Sequence, residues 1–144
     1  MSQNPAASPS PAAAASPADI IRSIYAAFGR GDMAGIIGPL ADDVDWRCSA
    51  PREVPYAGSY RGKAGVTEFI GRVLASERLD AFEPRTVLAQ GDLVMVEGRD
   101  RGTALATGRA FDVEWVHVWT FRAGRVAKFH EFFDAALADA FRAD

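Results

Sequence analysis

Hydrophobic and polar residues alternate along the last third of the chain, in two runs at 115–121 and 126–133 that a glycine-containing turn joins. Strict alternation is the pattern of a half-buried strand, and two such runs around a short turn predict a β-hairpin. Because successive side chains of a strand point to opposite faces, Trp115, His117 and Trp119 share one face of the first strand.

The second run places Phe129, Glu131 and Phe133 on one face of its strand. A histidine and a glutamate therefore lie among aromatic rings on neighbouring strands. A polar side chain is costly to bury unless it is hydrogen-bonded. The hairpin thus predicts either a specific hydrogen bond or a functional site at His117 and Glu131.

A helical period dominates the earlier part of the chain. Ser16 can cap a helix that begins at Pro17 and ends at the glycines from Gly29 onward. A longer helix at 63–79 carries apolar residues at i, i+3, i+4, i+7 and i+8, which is typical of a helix with one buried face. These residues are Val66, Phe69, Ile70, Val73 and Leu74.

The order of the predicted elements indicates the fold class. After the first helix come a short helix from 32 to about 41, a strand at 43–49, a loop at 50–62, the helix at 63–79, strands at 82–88, 93–101, 110–121 and 126–133, and a last helix at 135–141. Helices followed by a meander of strands predict an α+β fold. We expect a strongly bent antiparallel sheet wrapped around three N-terminal helices, which leaves a conical hollow.

Composition and charge narrow the classes of function. The chain has 144 residues, enough for one domain with a real core, and its net charge of −3 gives no reason to expect nucleic acid. One cysteine and two histidines exclude an internal disulfide and disfavour a metal site. Without an apolar run of about 20 residues or a secretory signal, we expect no membrane association and a cytoplasmic location.

The N-terminal segment at 1–15 differs in composition from the rest. It is rich in alanine, proline and serine and has no hydrophobic period. Such a segment cannot bury enough apolar surface to order itself, so it predicts a disordered tail. The domain is then expected to span 16–144.

Four segments resemble a known family. They are Tyr25-Ala-Ala-Phe-Gly-Arg-Gly-Asp32, Leu40-Ala-Asp-Asp-Val-Asp-Trp46, Tyr56-Ala-Gly-Ser-Tyr-Arg-Gly62 and Glu131-Phe-Phe-Asp-Ala-Ala-Leu137. Together they resemble the SnoaL-like, ketosteroid-isomerase-related group of the NTF2-like superfamily, over 19–141. The resemblance implies a cone-shaped fold, and a homodimer through the sheet. The fold hosts isomerases, polyketide cyclases, dehydratases and non-enzymatic binding domains.

The resemblance also implies which residues take the family's positions. True ketosteroid isomerases use a tyrosine on the first helix, an aspartate base after the first strand and a protonated acid on a late strand. Matching the segments places Ile24, rather than Tyr25, at the tyrosine position and Cys48 at the base position. The late-strand acid falls on His117. This chain is therefore not expected to be a true ketosteroid isomerase.

His117 and Glu131 are the candidate catalytic residues. A neutral imidazole can act as acid or base near neutral pH, and a carboxylate within hydrogen-bond reach would orient it. The alternatives are a core histidine bonded to backbone or tyrosine, and an ion pair of Glu131 with Arg99 or Arg101. The segment Arg99-Asp100-Arg101 itself is interpreted as a charged rim.

Aromatic and loop residues are candidates for substrate binding. Tyr56 and Tyr60 lie on a predicted lid loop, the tryptophans can line a pocket for a flat ligand, and Cys48 is interpreted as an inert buried thiol. Tyr25 is expected to pack under the sheet. Core packing is the alternative for the aromatic residues. The set is Trp46, Cys48, Tyr56, Tyr60, Trp115, Trp119, Phe129 and Phe133.

Three functions are compatible with this pattern of residues. The first is an enzyme of the isomerase, cyclase or dehydratase type that needs neither cofactor nor metal and acts on a small apolar carbonyl compound. The second is a module that binds a hydrophobic ligand without chemistry. The third is a dimerising scaffold whose cone is filled with side chains.

Overall fold

A computed structural model describes residues 15–143. The segment predicted as a disordered tail lies outside the described residues, except for Ala15. The elements are α1 (Pro17–Gly29), α2 (Met33–Ile37), β1 (Leu40–Ser49), β2 (Gly58–Arg61), α3 (Gly62–Ser76), β3 (Glu77–Gln90), β4 (Leu93–Ala104), β5 (Ala110–Arg122), β6 (Arg125–Phe133) and α4 (Leu137–Phe141).

The strands form one curved, unclosed sheet in the order β2-β1-β6-β5-β4-β3. The predicted α+β class and the predicted meander from β3 to β6 are confirmed, because each consecutive pair is antiparallel. One pair differs from the expected all-antiparallel sheet: β1 runs parallel to β6. The long excursion through α3 and the meander brings β6 back beside β1 in that direction.

The first helix begins as its sequence predicts. The Ser16 hydroxyl accepts a hydrogen bond from the backbone N–H of Asp19 at 3.2 Å, and Pro17 is the first helical residue. The predicted extent of the second helix, to about residue 41, is wrong. Asp32 caps α2, but the helix ends at Ile37 because Pro39 follows and Leu40 already begins β1.

The helix predicted at 63–79 is also too long at its C-terminus. Its last helical residue is Ser76, and Glu77 begins β3 without an intervening loop. Val66, Phe69, Ile70 and Val73 are buried as predicted, whereas Leu74 is 61 % exposed. The consequence for the site is that Glu77 stands at the head of a strand and not on a helix.

The hairpin has the predicted turn. Ala123 and Gly124 form its two-residue loop, both with positive φ (52° and 79°), as the turn that matches strand twist requires. His117 is the cross-strand partner of Glu131, and Trp119 is the partner of Phe129. The sequence did not reveal β2, which lies inside the predicted loop at 50–62.

The core lies between the helices and the inner face of the sheet, where the alternating aromatic residues of β5 and β6 point. Within residues 15–143, each helix is too short to cross a membrane.

Candidate functional site

The structure brings His117 and Glu131 together inside the sheet. The Nε2 atom of His117 lies 2.7 Å from Oε2 of Glu131, and the two residues are 4 % and 7 % exposed. Their strands are hydrogen-bonded neighbours, so the hairpin register alone sets this contact. Glu131 does not pair with Arg99, which instead binds Asp112 on the outer face.

Two residues from other parts of the sequence extend this pair. The hydroxyl of Tyr25 on α1 lies 2.8 Å from Nδ1 of His117, and the indole N–H of Trp119 donates to the same hydroxyl oxygen at 3.1 Å. An indole only donates, so the tyrosine oxygen must accept from Trp119. With His117 neutral, we assign the Tyr25 proton to the bond with Nδ1 and the imidazole proton to the bond with Glu131.

The position of Tyr25 corrects one expectation. It packs beneath the sheet, as expected, and its hydroxyl also takes part in the site. The segment match that placed Ile24 at the tyrosine position is therefore wrong as a guide to geometry. Burial raises the pKa of the Tyr25 hydroxyl, with the charge of Glu131 adding to the effect, so this hydroxyl keeps its proton.

Aromatic rings fix the orientation of the imidazole. The Trp115 ring stacks on His117 with a centroid distance of 3.9 Å and an angle of 17°, and Phe129 meets it edge-on at 4.8 Å. The imidazole is thus held by two hydrogen bonds and by two rings. A side chain held in this way loses little further freedom when a ligand binds.

A buried carboxyl on β4 was not identified from the sequence. Asp100 is 4 % exposed and accepts a 2.7 Å hydrogen bond from the Trp115 indole, so its assignment to a charged rim is wrong. Its neighbours Arg99 and Arg101 lie on the opposite face. Burial and the charge of Glu131 raise its pKa to about 8. At neutral pH, Asp100 is therefore mainly an uncharged acid.

A second unidentified carboxyl stands where α3 passes into β3. Glu77 is 5 % exposed, and one of its oxygens accepts a 2.7 Å hydrogen bond from the Tyr56 hydroxyl. Burial and the charge of Glu131 raise its pKa to about 7, although the bond from Tyr56 acts in the opposite direction. The protonation of Glu77 thus changes near neutral pH.

The other polar candidates are buried. The Tyr60 hydroxyl donates to the backbone carbonyl of Tyr56 at 2.9 Å. This bond anchors the loop, so Tyr60 does not act as part of a lid over the cavity. Burial is the main cause of the raised pKa of the Cys48 thiol, and the charge of Glu131 adds to the effect. Cys48 therefore remains protonated, in agreement with its interpretation as an inert thiol.

A cavity of about 70 Å³ joins these groups. Of the predicted site residues, His117, Glu131 and five of the substrate-binding set line it, while Cys48, Tyr60 and Trp115 lie outside its lining. Tyr25, Glu77 and Asp100 also line it, the rest of the wall is apolar, and within residues 15–143 it contains neither lysine nor arginine. The five are Trp46, Tyr56, Trp119, Phe129 and Phe133.

The cavity opens toward an outer groove of about 710 Å³. Tyr25, Phe28, Glu77 and Phe82 line both spaces. A ligand would therefore enter between α1 and the first half of β3, and Glu77 would be among the first polar groups that it meets.

The strand period of two residues and the helix period of 3.6 residues contain signals that could have identified Asp100 and Tyr25. Asp100 follows Val94 and Val96 at even spacing on β4, so it shares their buried face. Tyr25 lies four residues after the buried Ile21 on α1. Glu77 was not identified because the predicted helix at 63–79 runs past the true end of α3 and so includes this residue.

The family is decided by a match to the SnoaL-like domain over residues 21–129. This chain belongs to the SnoaL-like family. The match includes most of α1, all of β1 and most of the hairpin, so it covers Tyr25, His117 and Trp119 and ends two residues before Glu131.

Solved structures agree with this assignment. The SnoaL-like chain is 31 % identical to an NTF2-like protein from Burkholderia xenovorans, with a TM-score of 0.80 and coverage of 88 % of this chain and 95 % of that one. TerC, which was co-crystallised with polyporic acid, is 30 % identical, with a TM-score of 0.79 and coverage of 89 % and 100 %. A candidate SnoaL-like polyketide cyclase from Mesorhizobium loti is 18 % identical (TM-score 0.66, coverage 81 % and 98 %) and shows the fold alone.

Proposed function

We propose that this protein is a cofactor-independent enzyme of the isomerase, cyclase or dehydratase type that moves protons on a small, mainly apolar carbonyl compound. The observation that carries the proposal is the hydrogen-bonded chain from Trp119 through Tyr25 and His117 to Glu131 within a cavity whose wall is mostly aromatic and aliphatic. A hydrogen-bonded chain that only stabilised the fold would not require a cavity beside it. The cavity beside this chain therefore favours a catalytic role.

The network can deliver a proton to a carbonyl oxygen. When His117 is an imidazolium, both ring nitrogens donate, one to Glu131 and one to Tyr25. The Tyr25 hydroxyl is then free to donate to the ligand, because its oxygen accepts from His117 and Trp119. As negative charge develops on the ligand oxygen, Tyr25 passes its proton on and is reprotonated by His117.

The wall of the cavity supports a neutral ligand. Three carboxyls and neither lysine nor arginine contribute to the lining within residues 15–143, so a carboxylate or phosphate would find no such cation to pair with. Polyporic acid in TerC supports a small-molecule site in this fold. The volume of about 70 Å³ is below that of most ligand pockets, so side chains at the groove must move when a ligand enters.

The test compares wild type, His117→Ala and Tyr25→Phe on a panel of enolisable cyclic ketones. We expect deuterium exchange beside the carbonyl in wild type and a loss of about 100-fold or more in both variants, the usual effect of removing an acid–base group. The matched control is His130→Ala, because that histidine lies on the outer face and bonds to Ser49. Equal activity in wild type and His117→Ala would remove His117 from the mechanism.

The second candidate is a non-catalytic binding module. It is favoured because both ring nitrogens of His117 already have hydrogen-bond partners within the protein, so neither is free to act directly on a ligand. In that case a ligand would raise the melting temperature and be recovered unchanged.

A further inference from the structure

We propose that Glu77 is a second catalytic residue, the group that removes a proton from the ligand carbon and returns it at another position. This inference rests on the proposed function, since it assigns the base of that same reaction. It places the base at Glu77 on β3 and the acid at Tyr25 on α1, with His117 behind the tyrosine.

The atoms of the histidine–glutamate pair are already engaged within the protein. Both ring nitrogens of His117 are occupied, one by Tyr25 and one by Glu131, so the imidazole acts on a ligand only through the tyrosine. Glu131 binds His117 through one carboxyl oxygen, and it lines the inner cavity but not the outer groove. Neither member of the pair therefore offers an unoccupied atom where a ligand enters.

Glu77 has a free atom of the required kind. One carboxyl oxygen accepts from Tyr56 at 2.7 Å, and within the described part of the chain the second oxygen has no hydrogen-bond partner. The residue lines both the cavity and the outer groove, so Glu77 stands at the boundary between the two spaces. Asp100 also has one oxygen to spare, but it lines only the inner cavity.

The residues around Glu77 hold its carboxyl group in a fixed position. The Tyr56 ring meets Phe69, Phe133 and Phe141 edge-on, which holds the donating hydroxyl in place. Tyr56 is thus a positioning residue for Glu77.

The electrostatic surroundings suit a base that works near neutral pH. Burial and Glu131 together raise the pKa of Glu77 to about 7, which leaves a useful fraction ionised while the carboxylate stays basic. The titratable groups that surround it come from five other parts of the structure. They are Tyr25 of α1, Cys48 of β1, Tyr56 of the loop before β2, Asp100 of β4, and His117 and Glu131 of the hairpin.

The step balances without another reactant. The ionised Glu77 takes the proton of the carbon beside the carbonyl, the electron pair of that C–H bond forms the enol double bond, and the carbonyl oxygen receives a proton from Tyr25, which His117 replaces. Glu77 then returns its proton to a different carbon of the enol. The oxygen proton passes back through Tyr25 to His117, and the product is an isomer of the substrate.

The experiment measures isomerisation of 3-cyclohexenone to 2-cyclohexenone by absorbance, and deuterium incorporation into 3-cyclohexenone and 2-tetralone. The main variant is Glu77→Gln, whose side-chain carbonyl still accepts from Tyr56. We expect a loss of kcat of about 100-fold or more. Glu68→Gln, an exposed acid on α3 paired with Arg72, is the matched control and should keep wild-type rates.

A second variant separates catalysis from mere support. Tyr56→Phe removes the hydrogen bond that lowers the pKa of Glu77, so the acidic limb of the kcat/KM profile should move to higher pH, whereas a purely structural change would lower the rate at every pH alike. An active wild type with Glu77→Gln within threefold of it would overturn the role of Glu77 and leave the proposed function standing. A wild type inactive on both ketones would overturn both.

Discussion

At the scale of single residues, the site contains acids whose buried surroundings disfavour the ionised form. Glu77 and Asp100 are almost fully buried, and each feels the charge of Glu131 as well as the loss of water. Their hydrogen bonds from Tyr56 and Trp115 offset only part of that cost. Buried groups that are costly to ionise are typical of functional sites, where stability is given up for reactivity.

The raised pKa values of Glu77 and Asp100 predict how stability depends on pH. A buried acid whose pKa is higher in the folded state than in the unfolded state binds its proton more tightly when folded. The contribution of these two acids to the free energy of unfolding is then largest near pH 4 and falls as the pH rises toward about 7 for Glu77 and about 8 for Asp100. We expect a decrease of several kcal/mol from both groups together.

The measurement is urea denaturation between pH 4 and pH 9, with Asp100→Asn for comparison. The asparagine oxygen can still accept from Trp115, and it never ionises. At pH 8 or above, Asp100→Asn should be more stable than wild type by at least about 1 kcal/mol, and its decline with pH should be smaller. Identical slopes in the two proteins would contradict the raised pKa of Asp100.

At the scale of elements, a glycine on β4 makes room for the ring that supports His117. Trp115 of β5 pairs with Gly98 of β4 across the sheet. A Cβ atom at Gly98 would lie 2.6 Å from the backbone oxygen of Glu83 and equally close to the Trp115 ring. The missing side chain therefore lets Trp115 lie flat over the strand, where it stacks on the imidazole.

A pair of glycine substitutions tests this arrangement. Gly98→Ala should destabilise the protein by about 1–3 kcal/mol, because neither backbone nor a packed indole can yield easily. Gly71→Ala should instead stabilise it by about 0.5–1 kcal/mol, since Gly71 lies inside α3 with open space around it. Melting curves of the two variants provide the measurement, and a neutral Gly98→Ala would contradict the close approach of Trp115.

At the scale of the whole molecule, the outer face of the sheet carries an apolar row. Leu88, Met95 and Val118 are successive cross-strand partners on β3, β4 and β5. Leu88 and Met95 are 67 % and 41 % exposed, and Phe132 on β6 adds a further exposed ring. A row of this kind on an otherwise polar face is typical of a surface that pairs with another copy of the same chain.

We therefore still expect the homodimer through the sheet that the family resemblance implies. Met95→Glu should shift the protein to a monomer, because the carboxylate would be buried without a partner at the centre of the row. Leu105→Glu is the matched control, since Leu105 is 52 % exposed but lies beyond the end of β4. Sedimentation velocity measures the outcome, and a monomeric wild type would refute the expectation.

Much of this architecture could be predicted from local pattern alone. Period 2 determined which faces of β5 and β6 are buried. The two-residue turn pairs Phe121 with Val126, and only the register shift between Thr120 and Phe121 brings His117 opposite Glu131. The period of 3.6 identified α1 and α3. These features follow from neighbours along the chain, so the sequence contains their cause. Element ends were less predictable, because α3 passes into β3 without any turn residue to mark the change.

The rest of the site was decided by tertiary structure. Tyr25 lies 92 residues from His117 along the chain, and only the packing of α1 against the sheet brings the two within 2.8 Å. The raised pKa values of Glu77 and Asp100 likewise depend on burial and on charges from other strands. The local sequence determines which face of its helix or strand a side chain takes. The burial of Glu77 and Asp100 and the contact of Tyr25 with His117 depend on how distant segments pack against one another.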